Sequence, residues 1–422
     1  MQIKRDYSQP FFSTRRRRRS GGRLVFFYGL FMGALLVFVY TQFDRLQLAA
    51  LDVVGLAPTP TPFASDLATE GAQLFQSGNI AGAVDLFGRA WQQQPDNLDY
   101  LYEYGKLIIE LDRAEELLDP NNEYGKSLAD RAIELNPQDP RGYALKAKAL
   151  VWVGEATEAI PVGVAGLEQN SDFAPLYAVL ARAYTTIGRY QQGLDYGQEA
   201  IDKDPLDVDA HRSYAYSLIW VGARQEAIAQ LEDATSINPN LTAPWFELAG
   251  QYLAADMNEM AIATYDRILS LDPRDPKAYL RMCETYFKVG QSDRAEGYCD
   301  DALNADPAYA PAWRQVGMAR YNRRNYEGAI EAFESCVANG SEEIQCWYLR
   351  GLAHYYLDEC EQAWNILNES LTMIGVATDD NPVVASIREG LRLTTVSCPT
   401  YVGRALPTPI PPTPIPPTPI GG

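Results

Sequence analysis

Histidine is almost missing from this chain: His211 and His354 are the only two among 422 residues. So few imidazoles leave little material for His-ligated metal centres or His-based acid–base catalysis. None of the six cysteines forms a CxxC pair, which removes the local motif of zinc ribbons and thioredoxin-like redox sites. Glycine-rich phosphate loops, G-x-S-x-G and H-E-x-x-H are also absent. The sequence therefore assigns no catalytic residue, no metal ligand and no cofactor, and points away from an enzyme. Basic residues are outnumbered by acidic ones, 36 to 55, for a net charge of −19. That balance argues against nucleic acid as a partner, because duplex affinity comes from Lys and Arg meeting phosphates. An apolar share of 47% with 22% charged residues excludes a wholly disordered chain. The length suits about three ordinary domains or one repeat array.

What charge there is falls unevenly. Residues 1–23 hold eight basic side chains and one acid, a local +7, so the remainder carries −26. Directly after this basic segment, residues 24–43 run for twenty positions without a charge. As an α-helix such a stretch spans about 30 Å, the thickness of a bilayer's hydrocarbon core. The pattern predicts one transmembrane signal-anchor helix. By the positive-inside rule the N-terminus stays cytoplasmic and everything after Phe43 lies on the extracytoplasmic side. A cleaved signal peptide would need a small-x-small site near the apolar stretch; Gly55-Leu56-Ala57 is distant and precedes Pro58. Gly29 and Gly33 form one GxxxG, a spacing that lets two helices pack closely as a homodimer, although glycine is common in membrane helices in any case. Residues 44–63 form a linker containing the stiff spacer Pro58-Thr59-Pro60-Thr61-Pro62.

Beyond the linker the chain repeats itself. Asp-Pro or Asn-Pro pairs end at Pro205, Pro239, Pro273 and Pro307, each 34 residues after the last, and the frame extends back to Pro137. Pro95 lies 42 residues before Pro137, so the second unit carries an insertion near Asp119-Pro120-Asn121-Asn122. Each unit opens with a large side chain (Tyr143, Tyr177, His211, Trp245, Tyr279, Trp313, Trp347), followed four positions on by a small one (Ala147, Ala181, Ala215, Ala249, Cys283, Gly317, Gly351). Mid-unit glycines (Gly78, Gly154, Gly188, Gly222, Gly290) and a second small residue complete the pattern. These offsets describe two antiparallel helices joined at the glycine, closely packed through small residues and stopped by proline.

The pattern resembles the tetratricopeptide repeat (TPR) family over about residues 64–371, in nine units. The resemblance implies an all-α, TPR-type right-handed superhelical solenoid of antiparallel helix pairs, preceded here by one transmembrane helix. Gly163, Gly166 and Gly197 depart from it, standing where larger residues are usual and costing about 1 kcal/mol each relative to Ala. Residues 372–398 are expected to close the stack with a capping helix over 381–394, begun by Asn381-Pro382. Residues 399–422 form a Pro/Thr-rich extended tail with two Pro-Pro-Thr-Pro-Ile copies.

In such a solenoid the first helices line a concave groove. The matching offsets hold Tyr102, Lys106, Lys148, Trp152, Arg182, Arg212, Tyr216, Trp220, Phe246, Lys277, Phe287, Lys288, Arg314, Tyr321, Tyr348, Tyr355 and Tyr356. This basic and aromatic lining suits a peptide or helix of another protein, acidic or mixed in charge; for Trp220 and Phe287, packing between repeats is an equal alternative. Compared with the carboxylate clamp of some TPR proteins, Lys277 and Arg281 match one pair of basic residues. Arg212, Tyr216 and Glu247 replace the other clamp residues, and Glu247 would repel a carboxylate. The repeat frame also suggests cysteine partners: Cys283 with Cys299 within one hairpin, Cys336 with Cys346 between units, and Cys360 with Cys398 across to the cap. The alternative is six thiols packed as small core residues. Together these features predict a membrane-anchored extracytoplasmic scaffold, with a cytosol-facing targeting receptor or a carbohydrate-binding or enzymatic subunit as alternatives.

Overall fold

The computed structural model describes residues 31–32, 62–115, 123–374, 381–402 and 404. The chain divides into two units, 1–63 and 64–422. In the first, Phe31 and Met32 are helical; the rest of the 24–43 stretch, with Gly29 and Gly33, lies outside the described residues. Among the described residues no helix is long and apolar enough to cross a membrane.

The second unit is helical throughout, with no strand among its described residues. Its helices pair in sequence. The first pairs are α1 (Ala64–Gln76) with α2 (Ile80–Gln93), α3 (Leu98–Glu115) with α4 (Glu123–Leu135), and α5 (Pro140–Trp152) with α6 (Ala156–Gln169). Next come α7 (Ala174–Thr186) with α8 (Tyr190–Lys203), α9 (Val208–Trp220) with α10 (Arg224–Ile237), and α11 (Thr242–Ala254) with α12 (Asn258–Leu271). The last pairs are α13 (Pro276–Lys288) with α14 (Ser292–Ala305), α15 (Ala310–Asn322) with α16 (Tyr326–Ala338), and α17 (Ile344–Tyr356) with α18 (Cys360–Ile374). A final helix, α19 (Pro382–Ser397), takes Asn381 as its N-cap and buries Val384, Ile387 and Leu391 against Trp364, Leu367 and Leu371.

The 34-residue interval is a packing interval. Ala147, Ala181, Ala215, Ala249 and Cys283 on the first helices are fully buried, as are Ala159, Ala227, Ala261, Ala295 and Ala329 on the second. Where the first helix carries Gly317 or Gly351 instead, a neighbouring Phe333 or Leu367 fills the space a Cβ would take. Gly163, Gly166 and Gly197 behave alike: Leu180, Leu176 and Tyr214 from the next unit press against them, and α6 and α8 run unbroken through these positions. The cost of these glycines is offset by the closer approach they permit.

The large residue opening each unit acts as a clasp. Tyr143, Tyr177, His211, Trp245, Tyr279 and Trp313 each donate to the backbone carbonyl six positions earlier, at 2.7–3.1 Å. A hydrogen bond of this kind is worth about 1 kcal/mol. Trp347 breaks the series: its Nε1 is buried with no hydrogen-bond partner among the described residues, and the chain enters α17 by a different turn through Gly340.

The hairpin turns need a left-handed residue at one position. Gly154, Gly188, Gly222 and Gly290 supply it with φ between 76° and 85°, while Asp256 (57°), Arg324 (61°) and Asp358 (59°) occupy the same repeat position. These three L-residues take on strain that glycine avoids.

Candidate functional site

The first helices of the early repeats line a half-open chamber of about 1290 Å³, with residues from α1, α2, α3, α5, α7 and α9 and from 237–244. Its far wall closes onto its near wall: Asn240 Nδ2 donates to the carbonyl of Gln76 at 3.0 Å, across 164 residues of sequence. Gly78 makes this seam feasible. A Cβ there would meet the Asn240 carbonyl oxygen at 2.2 Å, and its φ of 88° is left-handed as well.

Six of the expected groove residues line the chamber: Tyr102, Lys106, Lys148, Trp152, Arg182 and Arg212. All four of these cations are engaged within the chain, Lys106 with Glu103 at 2.6 Å and the other three in one network. Arg212, buried on α9, donates from Nε and Nη2 to both oxygens of Glu247, at 3.1 and 2.9 Å. Its Nη1 reaches Glu110 at 3.1 Å and Asp209 at 2.9 Å. Lys148 Nζ bonds Asp209 at 2.8 Å and lies 3.3 Å from Glu110. The Arg182 guanidinium sits 4.6 Å from the ring centres of both Trp152 and Tyr216, and 3.8 Å from Glu247. Three cations thus meet three carboxylates drawn from five successive repeats.

This network corrects the expectation of a basic lining open to a partner's carboxylates. Lys148, Arg182 and Arg212 are neutralised internally, and Glu247 holds Arg212 instead of standing free to repel a ligand. Burial alone would raise Asp209, but Lys148 and Arg212 outweigh it and hold the carboxyl well below the usual carboxylate range. At Asp207, the N-cap of α9, burial and then the Asp209 charge outweigh the hydrogen bonds it accepts from the Asp209 and Ala210 backbone and the Lys148 charge, and push it up to about 6. Sequence reasoning missed Glu110, Asp207 and Asp209. Glu110 follows the second unit's shifted spacing, and the two aspartates read as ordinary helix-start acids.

The remaining groove candidates lie elsewhere along the stack. Trp220 is 53% exposed and stacks on Tyr190 at 5.9 Å. Phe246 packs on Tyr265, with Lys277 Nζ 5.3 Å from its ring. Arg281 pairs with Glu284, Lys288 with Asp256, and Arg314 with Glu343. Phe287 packs against the central core, and Tyr348 against the cap. Tyr321, Tyr355 and Tyr356 share one cluster with Tyr326.

Both histidines are hydrogen-bonded within the repeats. His211 Nε2 donates to the Pro205 carbonyl as a clasp, and His354 Nδ1 meets Glu359 at 2.5 Å across a hairpin turn. All six cysteines are bonded, as Cys283–Cys299, Cys336–Cys346 and Cys360–Cys398, the pairs suggested by the repeat frame.

Residues 249–321 match a family model described as tetratricopeptide repeat. No curated protein matches the chain. Among solved structures, a monomeric IFIT1 mutant with m7Gppp-AAAA is 15% identical at a TM-score of 0.50, covering 81% of this chain and 78% of that one. The APC/C hetero-tetramer Cut9–Hcn1 is 15% identical at 0.47, covering 84% and 82%. A thermophilic TPR protein of Thermus thermophilus is 20% identical at 0.38, covering 45% of this chain and 99% of that one. The likeness at a TM-score of 0.50 is one of fold. The described residues of the 64–422 unit form an all-α solenoid of tetratricopeptide-like repeats.

Proposed function

We propose that this chain is a membrane-anchored TPR scaffold that recruits another protein on the extracytoplasmic side, holding a peptide or helix of it in the concave chamber. The chamber carries the reading. At about 1290 Å³ it exceeds the common small-molecule range of about 300–1,000 Å³. Its walls mix aromatic surface with charges of both signs, which favours a peptide of mixed charge over a strongly acidic one. Tyr102 and Lys106, outside the central network, offer aromatic contact area and a wall cation that is paired at one point with Glu103. Residues 24–43 would hold the scaffold in the membrane. Three disulfides with no free cysteine support an oxidising compartment for the repeats.

Two experiments test this. Full-length protein purified from membranes should lose its co-purifying partner on Lys106→Glu or Tyr102→Ala; an unchanged set of co-purifying proteins refutes the chamber reading. Protease added to intact cells should reach the repeats without permeabilisation of the inner face. Protection there would place them in the cytosol.

A further inference from the structure

The last two repeats hold an aromatic cluster that is part-exposed among the described residues. Tyr326 and Tyr356 stack at 4.7 Å with planes 11° apart, Tyr321 meets both edge-on at 5.6 and 6.1 Å, and Tyr355 meets Tyr356 at 5.4 Å. Tyr356 is 50% exposed. Four clustered rings, the most exposed being Tyr356, combine apolar ring surface with phenol hydroxyls.

Beside this surface the chain's last described segment is pinned. The Cys360–Cys398 bridge brings the end of α19 within 5.9 Å, Cα to Cα, of the residue four positions after Tyr356. Tyr355 Oη and Ser397 Oγ lie 3.2 Å apart. Tyr401 then stacks on Trp364 at 5.2 Å, and the Arg404 guanidinium lies 4.8 Å from that same ring. The sequence after Arg404 therefore starts from a point tied to the turn that follows Tyr356.

That sequence is chemically suited to the surface. Residues 405–422 carry no charge and eight prolines, with Pro411-Pro412 and Pro416-Pro417 five positions apart. Prolines at this density favour the polyproline II helix, which keeps its carbonyls free to accept hydrogen bonds and has little entropy left to lose on docking. Aromatic-lined surfaces recognise such helices by packing proline rings on aromatic faces.

We infer that the Pro/Thr-rich tail, residues 407–420, docks in cis on the cluster of Tyr321, Tyr326, Tyr355 and Tyr356. Eighteen residues of polyproline II reach about 55 Å, ample for a surface beside their root. Tethering places the tail at an effective concentration in the millimolar range, so a weak site suffices. The tail would then cover three of the residues that the repeat offsets assign to the groove. This assignment does not depend on the identity of any groove partner.

The test is photocrosslinking in the full-length, detergent-solubilised chain, with benzoyl-phenylalanine in place of Tyr356 or, separately, of Tyr326. Adducts should map within residues 407–420. A 1:1 mixture of natural and ¹⁵N-labelled chains should yield same-chain adducts only. Joint replacement of Pro411, Pro412, Pro414, Pro416 and Pro417 by Ala should lower the yield roughly tenfold, since it removes the preformed helix. A probe at Tyr190, on the similar Tyr190–Trp220 stack four repeats earlier, should label the tail far less. No adduct in 407–420 from either probe overturns the inference. So do adducts mainly between chains, adducts to a different protein, equal labelling from Tyr190, or a yield indifferent to the proline replacements.

Discussion

Gly78→Ala tests whether the early repeats close on themselves. Any L-residue at its left-handed φ pays about 1 kcal/mol. Gly222→Ala pays the same at the equivalent turn, but a Cβ there meets nothing within 4 Å. At Gly78 the new methyl would sit 2.2 Å from the Asn240 carbonyl oxygen, so the two walls must part by about 1 Å to reach ordinary contact. The same movement stretches the 3.0 Å bond from Asn240 to Gln76 beyond hydrogen-bonding range, removing about another 1 kcal/mol. Hydrogen exchange followed by mass spectrometry reads both sites. Gly78→Ala should speed exchange at the end of α1 and also at residues 240–244, each by roughly fivefold for the seam's share. Gly222→Ala should affect its own hairpin alone. In a stack coupled only between neighbours, a change in the first repeat would not reach the loop before the sixth. If exchange at 240–244 is unmoved by Gly78→Ala, the seam does not exist in solution.

Three further outcomes follow from the same geometry. Arg324→Gly should stabilise the eighth hairpin by about 1 kcal/mol, read as a higher urea midpoint, because the exposed Arg324 is left-handed at φ 61°. Asp207 holds its proton more tightly folded, with a pKa near 6 against 3.8, so its burial penalty is present above pH 6 and is relieved as the pH falls toward 4. Urea midpoints of Asp207→Asn should then lack the rise that the parent shows between pH 7 and 5, while Asn still caps α9. Reducing Cys360–Cys398, which closes 38 residues, should destabilise the cap by up to about 4 kcal/mol, seen as early loss of α19 protection in dithiothreitol.

The repeat period was legible because it arises locally. A small residue must recur wherever two helices touch, and Ala147, Ala181 and Ala215 mark those contacts without reference to anything distant. The clasp residues and the glycine turns were visible for the same reason. Asp256, Arg324 and Asp358 were not, since nothing in their chemistry announces a left-handed backbone; only the 34-residue frame places them there. The groove candidates were placed by offset, and offset orients a side chain without telling what stands opposite. Lys148, Arg182 and Arg212 read as free cations until the curvature of the stack carried Glu110 and Glu247 to them from other repeats. The sequence by itself thus determined the helix pairs, their order and their packing faces, which depend on neighbours one or two helices away. Only the folded stack brings about the seam at Gly78 and the internally paired charges behind it, because small inter-repeat rotations add up over five units before those walls can meet.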